Sequence, residues 1–430
     1  MANAFSPRPT GAEHDILYLG WQREAVEALG RLGARVACVV SSSDRFKPTD
    51  EGFDGPLAVA ADHTSPESVL GALDELGLAP GAFWTVCTED EFAIVTAAVL
   101  GSLGCRRAVP VAGALSLRDK AAQKKLIRRA GLPVAACVRV PDLAAVERAV
   151  SSHGIGLPCV VKPPAGAGSQ HTHVVRDRRE MAATLDALAE EAGGTVGPWL
   201  VEAFVPGEEL HIDGAVRDGK LVLASASRYL HNVVEVHRGR LVASATLDDV
   251  TERELADAAV LLTERALTAL NHTDGVFHLE AFHEDGVLTF SECAGRIGGG
   301  MVLEAVRGKY GTDLYDEWAA AVLDAPSPTP ADAGEPRPGS FGWANLTAPP
   351  GPLRNLPTRG DIEARPGVVE AQLWAKEGDL VDDMRRASHH LAAKALVHAP
   401  TEEAARARLV EVASWFTGTL RGDERGCGDA

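Results

Sequence analysis

The sequence GVFHLEAFHEDGVLTFSECAGRIGGG, residues 275–300, decides the fold. Two runs rich in β-branched and aromatic residues flank Glu284-Asp285-Gly286, and this pattern predicts a hairpin whose three-residue loop has glycine where a positive φ is needed. In that register His283 pairs with Val287 across the loop. The hairpin therefore fixes which side chains of the two strands share a face.

One face of this hairpin carries two carboxylates. The predicted register places His278, Glu280, Phe290 and Glu292 together, with the two glutamates as diagonal neighbours roughly 7–8 Å apart at Cα. Two like charges this close need a counter-ion, and carboxylate oxygens suit Mg²⁺ or Mn²⁺. Two plainer explanations stay open: Arg296 as a salt-bridge partner of Glu292, and His278 as a hydrogen-bonded core histidine.

Composition narrows the class of protein. The 430 residues are 46% hydrophobic and 24% charged, with a net charge of −18, which disfavours a nucleic-acid partner. The seven cysteines form no CxxC pair, which favours reduced thiols. The N-terminal residues do not resemble a signal peptide, and no run of 18 apolar residues predicts a membrane span. We expect a cytoplasmic protein of several domains.

Residues 12–115 predict a small doubly wound α/β domain, because apolar strand-like runs alternate with helical spacing. After the first strand there is only Gly20, not the Gly-x-Gly-x-x-Gly of dinucleotide-binding domains. A dehydrogenase is therefore disfavoured. Further on, Ser116 to Asp119 predicts a capping-box helix start, with the helix running to Ala130.

A flexible glycine-containing loop follows Lys162. That lysine ends a predicted strand, and the loop contains Gly166, Gly168 and Ser169. A lysine beside exposed backbone N–H groups can bind phosphate oxygens. An exposed lysine next to a mobile hairpin is the alternative explanation.

The segment EAFVPGEE, residues 202–209, is a second candidate ligand contact. Backbone groups of Glu202–Val205 are left unpaired where the strand runs into Pro-Gly, and could read an adenine edge. Glu209 could accept hydrogen bonds from ribose hydroxyls. An acidic strand edge without a ligand is the alternative explanation.

Taken in order, these motifs resemble the ATP-grasp superfamily. The matching residues are Asp119-Lys120, Lys162 with its glycine loop, Glu202 to Glu209, Glu280, and Glu292 with Arg296. The pattern His278-x-Glu280 … Glu292-x-x-x-Arg296-x-Gly-Gly-Gly is similar to the carboxylate–amine ligase branch, including L-amino-acid (dipeptide) ligases.

The resemblance, which covers about residues 116–310, implies a fold of mixed α/β and α+β class. We expect the α/β domain over 12–115, the ATP-grasp central and nucleotide-binding lobes over 116–323, a proline-rich linker over 324–339 and a β-rich C-terminal lobe over 340–420. A homodimer is also expected.

The resemblance also implies a role for each candidate residue. ATP phosphates would be bound by Lys120, Lys162, Gly166, Gly168 and Ser169; the nucleoside by Glu202, Ala203, Val205 and Glu209; Mg²⁺ by Glu280 and Glu292. Arg296 would stabilise a phosphorylated carboxylate, and Arg228 would be a second phosphate or substrate contact. The expected reactants are ATP, a small carboxylic acid and an amine, with amino acids as candidate substrates.

The chain departs from the family at one position. Relatives commonly have asparagine two residues after the second glutamate, as a further metal ligand, and this chain has Ala294. The number of metal ions therefore stays open. Two other functions also stay open: a purine-pathway or biotin-type carboxylation ligase, and a catalytically silent ATP-binding protein.

Overall fold

The computed structural model describes residues 15–191, 193, 197–248, 250–330, 336–381 and 383–421. The first residues of the predicted N-terminal domain, residues 331–335 of the predicted linker, and Cys427 lie outside the described residues. No helix in the described part of the chain is long and apolar enough to cross a membrane.

The N-terminal region is a parallel α/β unit, as predicted. Its four-stranded sheet has the order β3-β2-β1-β4, with strands β1 Asp15–Leu19, β2 Arg35–Ser41, β3 Leu57–Ala60 and β4 Thr85–Cys87. The helices are α1 Arg23–Arg31, α2 Lys47–Asp50, α3 Pro66–Glu75 and α4 Ile94–Gly101. Alternate residues of β1 pack into two different hydrophobic clusters, so both faces of the sheet are covered.

Two helices connect this unit to the rest of the chain, α5 Val111–Arg118 and α6 Lys120–Arg129. The predicted helix start at Ser116 is wrong. Ser116 lies inside α5, where its hydroxyl donates to the carbonyls of Gly113 and Leu270. The cap is Asp119, whose extended backbone breaks the helix and whose carboxylate accepts from the backbone N–H of Ala122.

A small antiparallel sheet follows, with the order β5-β8-β6-β7. Its strands are β5 Cys137–Val140, β6 Cys159–Lys162, β7 His173–Val175 and β8 Trp199–Ala203, flanked by α7 Val146–Ser152 and α8 Arg178–Glu191. The segment between β6 and β7, residues 163–172, is called the 163–172 loop below.

The largest sheet has eight strands in the order β13-β12-β9-β10-β11-β14-β18-β16, beside a two-stranded β15–β17 sheet. The strands are β9 Glu208–Arg217, β10 Lys220–Tyr229, β11 Ala243–Thr246, β12 Gly275–Glu284, β13 Val287–Ala294, β14 Ser340–Leu346, β15 Gly351–Pro352, β16 Val368–Leu373, β17 Leu380–Val381 and β18 Ala393–Ala399. The remaining helices are α9 Arg253–Leu270, α10 Val302–Tyr310, α11 Leu314–Leu323, α12 Arg359–Glu363 and α13 Glu402–Leu420. Strands from the C-terminal region thus continue the sheet that contains β12 and β13. The domain boundaries given above stay predictions.

The β12–β13 hairpin exists, but its predicted register is wrong. Glu284 pairs with Val287 across the two-residue turn Asp285-Gly286, whose φ angles of 49° and 78° match a type I′ turn. A bulge near Glu280 then shifts the pairing by one further residue.

The new register changes which side chains meet. Glu280 lies directly opposite Glu292 rather than diagonal to it. Phe290 pairs with Ala281 and is buried in the hydrophobic core, and it also borders the space that Glu280 and Glu292 line.

Candidate active site

A cavity of about 410 Å³ lies between the small and the large sheet. Twelve of the thirteen predicted site residues line it: Lys120, Lys162, Gly166, Gly168, Ser169, Glu202, Ala203, Val205, Glu209, Glu280, Glu292 and Arg296. The thirteenth, Arg228, is not among the lining residues. The strands that the sequence motifs occupy thus converge on one space.

One wall of the cavity is a network of buried lysines and glutamates. Glu202 at the end of β8 lies 2.7 Å from Nζ of Lys162 and 3.0 Å from Nζ of Lys124. Burial opposes its ionisation, but the two lysines hold the pKa of Glu202 below its ordinary value. Lys120 and Lys162 also lie 3.3 and 3.7 Å from Glu292. We call Lys120, Lys124, Lys162, Glu202 and Glu292 the lysine wall.

Sequence reasoning left Lys124 out of the candidate site. Lys124 follows Lys120 by four residues on α6, so the two lysines share a helix face and reach the same cavity. The four-residue spacing from Lys120 could have identified Lys124 as a further residue of the site.

The carboxylates of the large sheet differ in protonation. Burial opposes ionisation of Glu292, but Lys120 and Lys162 lower its pKa to about 2. Burial and then the charge of Glu280 raise the pKa of Glu209 to about 8. Glu209 also accepts a 2.6 Å hydrogen bond from the backbone N–H of Val233.

His278 connects Glu280 to a buried polar chain. Its Nε2 lies 3.3 Å from Glu280 and its Nδ1 lies 2.7 Å from Asp213, which also accepts from His211. Burial lowers the pKa of His278, but Asp213 and Glu280 outweigh burial and raise it to about 10. The ligand atoms of His211, Asp213 and His278 lie close enough together to hold a metal. They are already hydrogen-bonded to one another, so we interpret the group as support for Glu280.

Arg296 is held by the N-terminal unit. Its Nε and Nη2 lie 2.8 and 2.6 Å from Glu91, in the loop after β4. Glu91 also pairs with Arg118 at 3.2 Å, and Glu89 accepts from the backbone N–H of Ile297. The alternative pairing of Arg296 with Glu292 is not what the structure has, because Glu292 pairs with lysines. Sequence reasoning missed these acids, although acids at the carboxyl end of a parallel strand are a usable signal.

Arg228 is placed away from this chemistry. Its guanidinium lies 3.4, 3.1 and 3.3 Å from carboxylates of Glu208, Glu252 and Glu402. Three carboxylates already satisfy its charge, so the structure does not support the predicted contact with phosphate or substrate.

The 163–172 loop is folded down over the cavity. The carbonyl of Gly166 accepts from Nζ of Lys120 at 2.7 Å, and that of Gly168 from the backbone N–H of Ser388 at 3.1 Å. The carbonyl of Ser169 accepts from His237 at 3.0 Å. The loop is therefore tied both to the lysine wall and to the C-terminal region.

The opposite wall comes from the C-terminal region, and sequence reasoning did not identify its residues. We call Trp343, Asn345, Ser388 and Lys394 the lobe wall; all four line the cavity. Trp343 and Asn345 alternate along β14, and Asn345 pairs with Lys394 of β18. Such alternation is common to many strands, so it gave no specific signal.

Known proteins resemble this chain in sequence and in fold. Residues 155–304 match the family described as the ATP-grasp domain. The L-arginine-specific L-amino acid ligase of Bacillus subtilis is 25% identical over 240 residues, which is 55% of this chain and 56% of that protein. The match thus spans about half the length of this curated relative.

Solved structures show the same fold over most of the chain. The L-amino acid ligase from Bacillus licheniformis has a TM-score of 0.74 at 17% identity, covering 94% of this chain and 98% of that one. Carboxyaminoimidazole ribonucleotide synthase from Aspergillus clavatus, solved with ATP, has a TM-score of 0.72 at 18% identity, covering 94% and 99%. This chain therefore has the ATP-grasp fold, with an ATP-grasp domain over residues 155–304.

Proposed function

We propose that this protein is an ATP-dependent ligase that joins a carboxylic acid to an amine through an acyl phosphate, with amino acids as its substrates. The observation that carries the proposal is the convergence of the lysine wall, the facing pair Glu280 and Glu292, and Arg296 on one cavity. These groups can together hold a nucleotide phosphate beside a substrate carboxylate.

In this proposal ATP lies along the lysine wall. Lys120 and Lys162 bind its phosphates, and Gly166, Gly168 and Ser169 of the 163–172 loop cover them. Backbone groups of Glu202–Val205 frame the adenine, while Glu209 contacts the ribose. The carboxylate of Glu202 keeps Lys124 and Lys162 in place.

Glu280 and Glu292 are proposed to hold Mg²⁺, or Mn²⁺ in its place. Two carboxylates that face each other across a strand pair offer the hard oxygen ligands these ions prefer. His278 contacts only one oxygen of Glu280, which leaves the other for a metal. When bound, the ion neutralises negative charge on the phosphates. Because Ala294 offers no ligand atom, the number of ions stays open.

The proposed reaction has two steps. A carboxylate oxygen attacks the γ-phosphorus of ATP, the bond to the β–γ bridging oxygen breaks, and ADP leaves. The amine nitrogen then attacks the carbonyl carbon, phosphate leaves, and the nitrogen loses a proton. Arg296 stabilises negative charge on the acyl phosphate, and the 163–172 loop excludes water from it.

Two alternatives compete with amino-acid ligation. The carboxyaminoimidazole ribonucleotide synthase structure fits almost as well as the amino-acid ligase, which favours a carboxylation-type ligase as the second candidate. A silent ATP-binding protein is the third, motivated by Ala294. The homodimer and the cytoplasmic location stay predictions.

A release assay tests the proposal. ADP and phosphate are measured with Mg·ATP against the twenty amino acids singly and in pairs, beginning with pairs that contain arginine because of the relative from Bacillus subtilis. Release that needs two amino acids, with a condensed product mass, supports the proposal.

Two glutamates of the same hairpin provide a test variant and its control. Glu292→Ala should reduce release by at least about a hundredfold, because it removes one of the two proposed metal ligands. Glu284→Ala, at the exposed tip, should change release less than about twofold. ATP binding without release in any pair would contradict amino-acid ligation, and release with bicarbonate instead would favour the carboxylation alternative.

A further inference from the structure

The lysine and arginine side chains that line the cavity are not equivalent. Four of them have carboxylate partners: Lys120 with Glu292, Lys124 and Lys162 with Glu202, and Arg296 with Glu91. The fifth, Lys394 of the lobe wall, has no carboxylate within 4 Å among the described residues. Its charge therefore lacks the counter-charge that the others have.

Lys394 is nevertheless fixed in position. Its Nζ donates to the carbonyl of Gly300 at 2.8 Å and lies 5.0 Å from the ring centre of Trp374. An ammonium has three N–H donors, and this hydrogen bond uses one. Burial lowers the pKa of Lys394, and the charge of Glu304 only partly offsets it. An anion supplied from the cavity would remove this penalty.

A neighbouring side chain also lacks a partner. Asn345 lies directly across from Lys394 in the β14–β18 pair and lines the same cavity. Its Nδ2 donates to the carbonyl of Ser388 at 2.8 Å, but its buried Oδ1 has no hydrogen-bond partner among the described residues. A buried, unsatisfied amide oxygen is costly, which indicates a missing N–H donor.

Together these groups fit a molecule with an anion and an N–H group. We propose that Lys394 binds the carboxylate of the amine substrate, so that the amine is an amino acid rather than a simple amine. This rests on the proposed ligase function. The reacting carboxylate belongs beside Arg296 and the lysine wall, where the phosphate is transferred. The lobe wall is thus left for the carboxylate that does not react.

The pair screen identifies the amino acid that serves as the amine substrate. The test compares this amino acid with its own α-carboxamide. The carboxamide keeps the size and the nucleophilic amine but loses the negative charge. In the wild-type protein, KM for the carboxamide should be at least about tenfold higher than for the free acid. Equal KM values would overturn the proposal without any variant.

Two variants locate the effect. Lys394→Met should raise KM for the free acid at least about tenfold and so remove the preference over the carboxamide, whereas Lys394→Arg should keep much of it. Lys376→Met removes an exposed lysine from the same region and should keep the full preference. Melting temperatures check that each variant is folded.

The remaining outcomes are distinct. If Lys394→Met impairs the free acid and the carboxamide equally, Lys394 only supports Gly300 and the proposal fails. If KM for ATP rises instead, the anion is a nucleotide phosphate, which also overturns it. If the wild-type protein releases no ADP with any pair, the ligase function fails and the inference with it.

Discussion

The two walls of the cavity differ in how their buried charged and polar groups are partnered. Every lysine of the lysine wall lies against a glutamate, so each of these charges has a partner within the protein. In the lobe wall, Lys394 has only a carbonyl and an aromatic ring, and Asn345 Oδ1 has no partner. The difference teaches that the lysine wall is preorganised within the protein, whereas the lobe wall keeps hydrogen-bonding groups without partners in the described part of the chain, as expected if a substrate carboxylate binds there as we propose.

The glycine-rich segment 296–300 runs between these walls. Its first residue, Arg296, is held by Glu91, and its last, Gly300, is held by Lys394. If the walls have separate tasks, changes at the two ends should have different consequences.

The largest effect is expected at the Arg296 end. Arg296→Lys keeps the charge but loses the planar group whose two nitrogens contact Glu91. We expect turnover to fall about ten- to a hundredfold while KM for ATP changes less than about threefold, since Lys120 and Lys162 remain. Substrate-dependent ADP release measures both.

Arg228→Lys is the matched control. Arg228 has three carboxylate partners outside the cavity, so the same substitution there should lower the melting temperature but change turnover less than about twofold. Equal losses of turnover in the two variants would show that Arg296 has no special role.

A smaller effect is expected at the Gly300 end. A Cβ at Gly300 would lie 2.5 Å from the ring of Trp343, and the φ of +71° is strained for any residue with a side chain. Gly300→Ala should therefore lower the free energy of unfolding by about 2 kcal/mol and weaken binding at the lobe wall. Urea unfolding and KM for the amine substrate measure the two consequences.

Gly299→Ala provides the comparison, because a Cβ there meets nothing within 4 Å. It should change the free energy of unfolding by less than about 0.5 kcal/mol. If the two alanine variants behave alike, Trp343 does not constrain the segment and the proposed link between Gly300 and the lobe wall is wrong.

The residues of the lysine wall could be predicted from the sequence, whereas those of the lobe wall could not. The lysine wall rests on residues whose chemistry and order are characteristic, so Lys120, Lys162, Glu280 and Glu292 could be placed in one cavity without coordinates. The hairpin was predicted, but its register was not, since the turn length and a single bulge decide which residue faces Glu280.

The lobe wall depends on pairing between distant strands. Asn345 and Lys394 meet only because β14 and β18 continue the sheet that begins at the hairpin. Glu91 likewise meets Arg296 only in the folded protein, because the two residues are 205 positions apart in the sequence. Arg228 shows the reverse error: a suitable residue type on a suitable strand faced three glutamates instead of the cavity.

The smallest predicted effect concerns Glu209, an acid of the cavity that has no cationic partner within 4 Å among the described residues. Its pKa is raised from 4.5 to about 8, by burial and then by Glu280. The folded protein thus binds a proton here that the unfolded chain has released, so this carboxyl lowers stability as pH rises from about 4.5 to 8. Glu209→Gln removes the titration but keeps an oxygen for the N–H of Val233.

The variant should therefore gain at least about 1 kcal/mol in unfolding free energy relative to wild type between pH 5 and pH 8. Urea unfolding at both pH values, without nucleotide or divalent metal, measures this. Glu284→Gln, at the exposed hairpin tip, should follow the wild-type curve. Parallel curves for Glu209→Gln and wild type would mean that Glu209 is charged at neutral pH. The cavity would then need a further cation beside Glu280 even before a nucleotide binds, and the metal-binding pair would have to be reconsidered as a group of three carboxylates.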